Sequence, residues 1–165
     1  MKNLVLIGMP GCGKSTVGVI LAKAMGIEFL DTDLVIQKRE NALLQQILNN
    51  RGLDAFLDAE EAAVCSVNCT DTVIATGGSV IYREKAMTHL KTDGIILYLQ
   101  LEYPEIIARL SNITTRGIAL PAGKTMEDLY RERIPLYEKY ADLTIHCTGK
   151  SVEQTVEAII NAIRA

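Results

Sequence analysis

The sequence predicts an α/β fold in three layers: a five-stranded parallel sheet flanked by helices, formed by 165 residues as a single domain. Three observations carry this expectation. Short β-rich apolar runs alternate with amphipathic helical stretches, and no internal repeat or low-complexity segment interrupts the rhythm. The first apolar run leads straight into a glycine-rich loop and then a helical pattern. The composition, 48% hydrophobic and 22% charged, is that of an average globular domain and excludes a disordered, collagenous or coiled-coil chain.

Taken in order, Leu4–Ile7 is the first strand and Lys14–Met25 the helix that follows its loop. Glu28–Leu30 is the second strand, with helical patterns over Asp33–Asn50 and Leu53–Asn68. Thr72–Ala75 and Ile95–Leu99 are the next strands, separated by a helix at Arg83–Leu90. Tyr103–Leu110 and Met126–Lys139 read as helices, Leu143–His146 as the last strand and Val152–Ile163 as the closing helix. Ser151 and Gln154 form a capping box there, and Val152, Val156, Ile159, Ile160 and Ile163 make one apolar stripe. Residues 112–124 hold no sustained period and contain Gly117, Pro121 and Gly123, so a long functional loop is expected.

A formal charge of −3 argues against a large nucleic-acid footprint, so any anion site must be local. No window approaches the apolar length of a membrane span, and the apolar run near Met1 is too short for a signal peptide, which predicts a cytoplasmic protein. Cys12, Cys65, Cys69 and Cys147 include no Cys-x-x-Cys and do not cluster with His89 or His146, so free thiols are expected rather than zinc ligands.

Gly8-Met9-Pro10-Gly11-Cys12-Gly13-Lys14-Ser15 fits the phosphate-binding pattern Gly-x-x-x-x-Gly-Lys-Ser/Thr, after a strand and before a helix. Glycines let successive backbone N–H groups face one anion, and the helix adds its positive N-terminal dipole. Lys14 can reach the outer phosphates, Ser15 offers a hard oxygen to Mg²⁺, and Thr16 offers a donor to an inner phosphate. The expected ligand is a nucleoside triphosphate with Mg²⁺. The chain is short for a motor and lacks an Asn-Lys-x-Asp segment for reading guanine, which favours a kinase acting on a small molecule.

Such a kinase must hold an acceptor hydroxyl in line with the γ-phosphate and exclude water. Asp31 and Asp33, at the end of the second strand, suit that chemistry, since one carboxylate can hold Mg²⁺ through water while the other orients or deprotonates the hydroxyl. Asp-x-Asp before a helix is equally an N-capping arrangement. Gly77-Gly78 after the third strand permits close approach of backbone to a ligand, or else a tight turn.

The phosphate loop, Asp31-x-Asp33, Phe56-x-x-x-Glu60, Gly77-Gly78, Arg116 and Arg133-x-Pro135-x-Tyr137-x-x-x-Ala141 occur together and in this order. The set resembles the shikimate kinase family over nearly the whole chain. The resemblance implies an adenylate-kinase-like P-loop fold and transfer of the ATP γ-phosphate to the 3-hydroxyl of shikimate, a step toward aromatic amino acids. It implies ATP contacts from Gly8, Gly11, Cys12, Gly13, Lys14, Ser15 and Thr16, with Arg109 packing on adenine. It further implies Mg²⁺ at Ser15 and Asp31, substrate contacts from Asp33, Gly77, Gly78 and Arg133, and catalytic roles for Lys14, Asp33 and the lid arginine Arg116. The lid spans about 112–124 and the substrate-binding helices about 33–61. A monomer without nucleic-acid or membrane partners is expected.

Two departures bear on the acceptor. The family pattern is Phe-Arg-x-x-Glu, with the arginine on the substrate carboxylate, but this chain has Leu57; and a third consecutive glycine is replaced by Ser79. In the lid, Arg116 precedes Gly117-Ile118 where Pro-Leu is usual. A kinase for another small polyol or hydroxy acid, such as a gluconate-type enzyme, and a nucleotide-binding regulatory module with little catalysis are the alternatives.

Overall fold

The computed structural model describes residues 1–110, 118 and 120–165. Five parallel strands, β1 (Asn3–Ile7), β2 (Glu28–Asp31), β3 (Thr72–Ala75), β4 (Gly94–Gln100) and β5 (Leu143–His146), lie in the order β2-β3-β1-β4-β5. The centre of the sheet falls where the sequence is most uniformly apolar. Strand β1 is buried at every residue and pairs with β3 through Leu4 and Val73 on one side and with β4 through Leu4 and Ile95 on the other. A parallel strand covered on both faces reads as a continuous apolar run, whereas the outer strands β2 and β5 keep exposed positions.

Seven α-helices flank the sheet among the described residues: α1 (Lys14–Met25), α2 (Thr32–Glu40), α3 (Leu44–Ser66), α4 (Glu84–Thr92), α5 (Tyr103–Leu110), α6 (Met126–Tyr140) and α7 (Val152–Arg164). Helix α1 packs against α7, β2 and β3, and α3 against α2 and α4. The capping box predicted for the last helix is present: Ser151 Oγ accepts from the Gln154 N–H at 3.1 Å, and Gln154 Oε1 accepts from the Ser151 N–H at 2.8 Å. All four cysteines are free thiols, and no helix among the described residues is long and apolar enough to cross a membrane.

The helices after β2 differ from the expectation in where they break. The break falls at Asn41, in the left-handed region with φ of 50°, rather than after Asn50. Asparagine tolerates that conformation, which lets α2 end in one residue. The boundary expected between Asn50 and Leu53 survives only as a kink inside α3 at Gly52, where φ is 86°. A short 3₁₀ turn, Val80–Tyr82, follows Ser79 and was not legible in the sequence.

Two apolar cores result. The larger surrounds the sheet; the smaller joins Ile36, Leu44, Ile47, Phe56, Leu57 and Ala63 between α2 and α3. The smaller core holds the α2–α3 pair as a separate lobe beside the ends of β2 and β3.

Candidate active site

The phosphate loop joins β1 to α1, and its backbone takes conformations that side chains resist: φ is 82° at Gly11 and 93° at Gly13, the N-cap of α1. Lys14 is buried, and its ammonium donates to the Gly8 carbonyl at 2.7 Å and the Met9 carbonyl at 2.9 Å. The Cys12 thiol is buried inside the loop, 3.7 Å from Lys14 Nζ. Ser15 and Thr16 stay exposed at the start of α1. Arg109, on α5, donates from Nη1 to the Cys12 carbonyl at 3.3 Å and from Nη2 to Glu105 at 3.4 Å, so its guanidinium lies alongside the loop.

Asp31 satisfies both readings of its motif at once. Oδ1 accepts from the Asp33 N–H at 2.9 Å and caps α2, while Oδ2 accepts from the Ser15 hydroxyl at 2.9 Å. The cap orients the carboxylate and the second oxygen meets the loop. Asp33 in the first turn of α2 borders the neighbouring cavity, with Oδ1 only 3.1 Å from where a Cβ on Gly77 would stand.

The loop after β3 is tied to the strand beside it: Thr76 Oγ1 donates to the Leu6 carbonyl at 2.8 Å. Gly78 is hemmed in, since a Cβ there would lie 2.7 Å from Pro10 and 3.0 Å from Arg133 Nη1. Arg133 is 1% exposed, unlike its charged neighbours Arg131 and Glu132 on α6, which are exposed. Its guanidinium lies over the Tyr82 ring at 5.2 Å, and Nε donates to Tyr82 Oη at 3.2 Å. Tyr137, one helical turn on, is fully buried and donates to the Gly78 carbonyl at 2.6 Å.

Glu60 is a residue that motif reading named without giving it a role. It lies four residues after Phe56, on the same face of α3. It is 1% exposed; Oε1 accepts from the Ser79 hydroxyl at 2.8 Å, and Oε2 has no hydrogen-bond partner. Burial pushes its carboxyl up to about 7; the Asp33 charge adds to this, while the Ser79 hydrogen bond and the Arg133 and Arg83 charges oppose it. Leu57 lies in the α2–α3 core at 9% exposure, so the apolar side chain has been absorbed into packing. Arg116 lies outside the described residues.

One cavity of about 600 Å³ connects these parts, lined by Lys14 and Ser15 together with Asp33, Glu60, Gly78 and Arg133. Phosphate-binding loop, paired acids and a buried guanidinium around a single cavity, on a parallel sheet in this order, define a P-loop kinase-like α/β protein. Comparison with known proteins narrows the class. The family model described as shikimate kinase matches residues 10–164. The shikimate kinase of Thermodesulfovibrio yellowstonii is 38% identical over 97% of this chain and 94% of its own length. The structure of shikimate kinase from Acinetobacter baumannii in complex with shikimate superposes with a TM-score of 0.86 at 29% identity, covering 99% of this chain and 93% of that one. Human threonine synthase-like 1 is 34% identical over 99% of this chain, which spans 22% of that protein. The chain belongs to the shikimate kinase family.

Proposed function

We propose that the protein is an ATP-dependent kinase that phosphorylates the 3-hydroxyl of shikimate, a cytoplasmic monomer that serves aromatic amino acid synthesis. The observation that carries this reading is the single cavity shared by the phosphate loop, Asp33 and the buried Arg133. A permanently charged, planar guanidinium with its desolvation already met by Tyr82 suits a carboxylate ligand.

In this reading Gly8, Gly11, Cys12, Gly13 and Thr16 wrap the phosphates and Arg109 covers the adenine. Lys14 turns its ammonium from the loop carbonyls toward the transferring phosphoryl group. Asp33 accepts the proton of the acceptor hydroxyl as the oxygen attacks, and Arg133 with the backbone of Gly77 and Gly78 fixes the ring. Arg116 supplies further positive charge to the phosphates. The Ser15 hydroxyl and Asp31, 2.9 Å apart, form a pair of hard oxygens that would hold Mg²⁺. Bound there, Mg²⁺ would neutralise phosphate charge during transfer.

A second reading, a kinase for another small polyol or hydroxy acid, is favoured by one observation: Leu57 leaves Arg133 as the one guanidinium lining the cavity among the described residues. The test is acceptor-dependent ADP release by the purified protein with ATP and Mg²⁺, using shikimate, quinate, gluconate or no acceptor. Release with shikimate alone supports the first reading and release with another acceptor the second. Absence of release with every acceptor points to a nucleotide-binding module.

A further inference from the structure

Tyr82, the last residue of the 3₁₀ turn Val80–Tyr82, is not among the residues that line the cavity, yet it touches the guanidinium that does. Its ring is half-buried and packs against both apolar cores, the one around the sheet and the one between α2 and α3. The ring is therefore a fixed platform. The Arg133 guanidinium carbon lies 5.2 Å from the ring centroid, and Nε donates to Tyr82 Oη at 3.2 Å. The hydroxyl has a second partner. Tyr82 Oη donates to Glu132 Oε2 at 2.8 Å, while Glu132 Oε1 accepts from the Lys124 ammonium at 3.1 Å. The Tyr82 hydroxyl holds the Glu132 carboxyl below the usual carboxylate range, so Glu132 is ionised at neutral pH. Glu132 and Arg133 are consecutive on α6 and do not face each other; the phenol joins them. A phenol that donates to a carboxylate is a better acceptor at its own oxygen, so the two bonds reinforce each other.

We propose that Tyr82 is a positioning residue that relays the Glu132 charge to Arg133 and presets that guanidinium for an acceptor bearing a carboxylate. The assignment rests on the kinase reading of the cavity. Being neutral, the phenol orients Arg133 without cancelling its charge, and Nη1 lies 3.0 Å from where a Cβ on Gly78 would stand. The consequence is selectivity: the relay favours a carboxylate acceptor over its neutral counterpart. It also accounts for how the chain works with Leu57 in the α2–α3 core and Arg133 as the one guanidinium lining the cavity among the described residues. A guanidinium already held in place loses less freedom when the ligand arrives.

The test is steady-state kinetics of wild type, Tyr82→Phe, Glu132→Ala and the double variant with saturating ATP, using shikimate and its neutral carboxamide as acceptors. Phenylalanine keeps the ring between the two cores and removes only the hydroxyl, and thermal melting verifies that each variant is folded. Tyr82→Phe is expected to raise KM for shikimate about five- to tenfold, with kcat within about threefold and KM for ATP unchanged. KM for the carboxamide should change by less than about twofold, so the preference for the carboxylate shrinks. Glu132→Ala should raise KM for shikimate about threefold, and the double variant should match Tyr82→Phe, because both substitutions break one relay. A Tyr82→Phe KM within about twofold of wild type, or an equal rise for the carboxamide, overturns the assignment and leaves shikimate kinase activity standing. Effects that multiply in the double variant overturn the relay through Glu132. Turnover of quinate or gluconate instead of shikimate overturns the choice of acceptor, and the same lost preference for that acid over its carboxamide then supports Tyr82. Lack of acceptor-dependent ADP release by wild type overturns both.

Discussion

Lys14 and Asp33 both line the cavity, and their substitutions separate binding from chemistry. Lys14→Ala and Asp33→Ala should each lower kcat by about 10²–10⁴-fold, the scale of a lost proton-transfer or charge-stabilising group, with only Asp33→Ala retaining nucleotide affinity in a direct binding titration. Glu60 predicts a pH effect on stability without any ligand. Its folded value, about 7, lies above the ordinary 4.5. The folded state therefore binds more protons than the unfolded chain across this interval, and stability declines as pH rises from the lower value to the higher. The full effect is of order 3 kcal/mol, because each unit is worth about 1.4 kcal/mol. Urea unfolding at pH 5 and pH 8 should show this decline in wild type and lose most of it in Glu60→Gln. Leu57 is the reciprocal case. Leu57→Arg is expected to lower KM for shikimate several-fold by adding a cation, while destabilising the α2–α3 core by roughly 1–3 kcal/mol, read by denaturant midpoint.

At the level of elements, the site depends on how helices meet loops. Helix α6 contributes Arg133 to the cavity and Tyr137 to the loop after β3, so one helical turn fixes both a charged ligand and the backbone it works beside. Tyr137→Phe removes the bond to the Gly78 carbonyl; a loss of about 1 kcal/mol in stability is expected from urea unfolding, with a rise in acceptor KM and no change in nucleotide affinity. Helix α2 works in the same way, since the cap that starts it also aims Asp31 at Ser15. Strand and helix identities were legible from apolar period and capping residues, from β1 to the box at Ser151. The break at Asn41 was not, because asparagine is only one of several residues that can end a helix, and packing of α2 on α3 selects it.

For the molecule as a whole, the cavity lies between the sheet ends and the α2–α3 lobe, so ligands on either side stabilise one body. ATP with Mg²⁺ at about 100 times its Kd adds about 2.7 kcal/mol, which for a domain of this size raises Tm by roughly 5–10 °C. Differential scanning calorimetry should show that increase in wild type and in Asp33→Ala, and its loss in Lys14→Ala.

The amino-acid sequence determined the strand order's raw material, the phosphate loop and the ordered motifs that mark the family, because these depend on local period, glycine backbone freedom and spacing along the chain. Tertiary structure decided which charges matter. Arg133 in Arg131-Glu132-Arg133 resembles its exposed neighbours until α6 folds against Tyr82 and the loop after β3. Glu60 is an ordinary helical acid until Ser79, Asp33 and Gly77 surround it. Leu57 is a lost arginine in the sequence and a core residue in the fold. Desolvation is set by groups distant in sequence, so burial of a charge, and with it the chemistry that charge can perform, belongs to the folded chain alone.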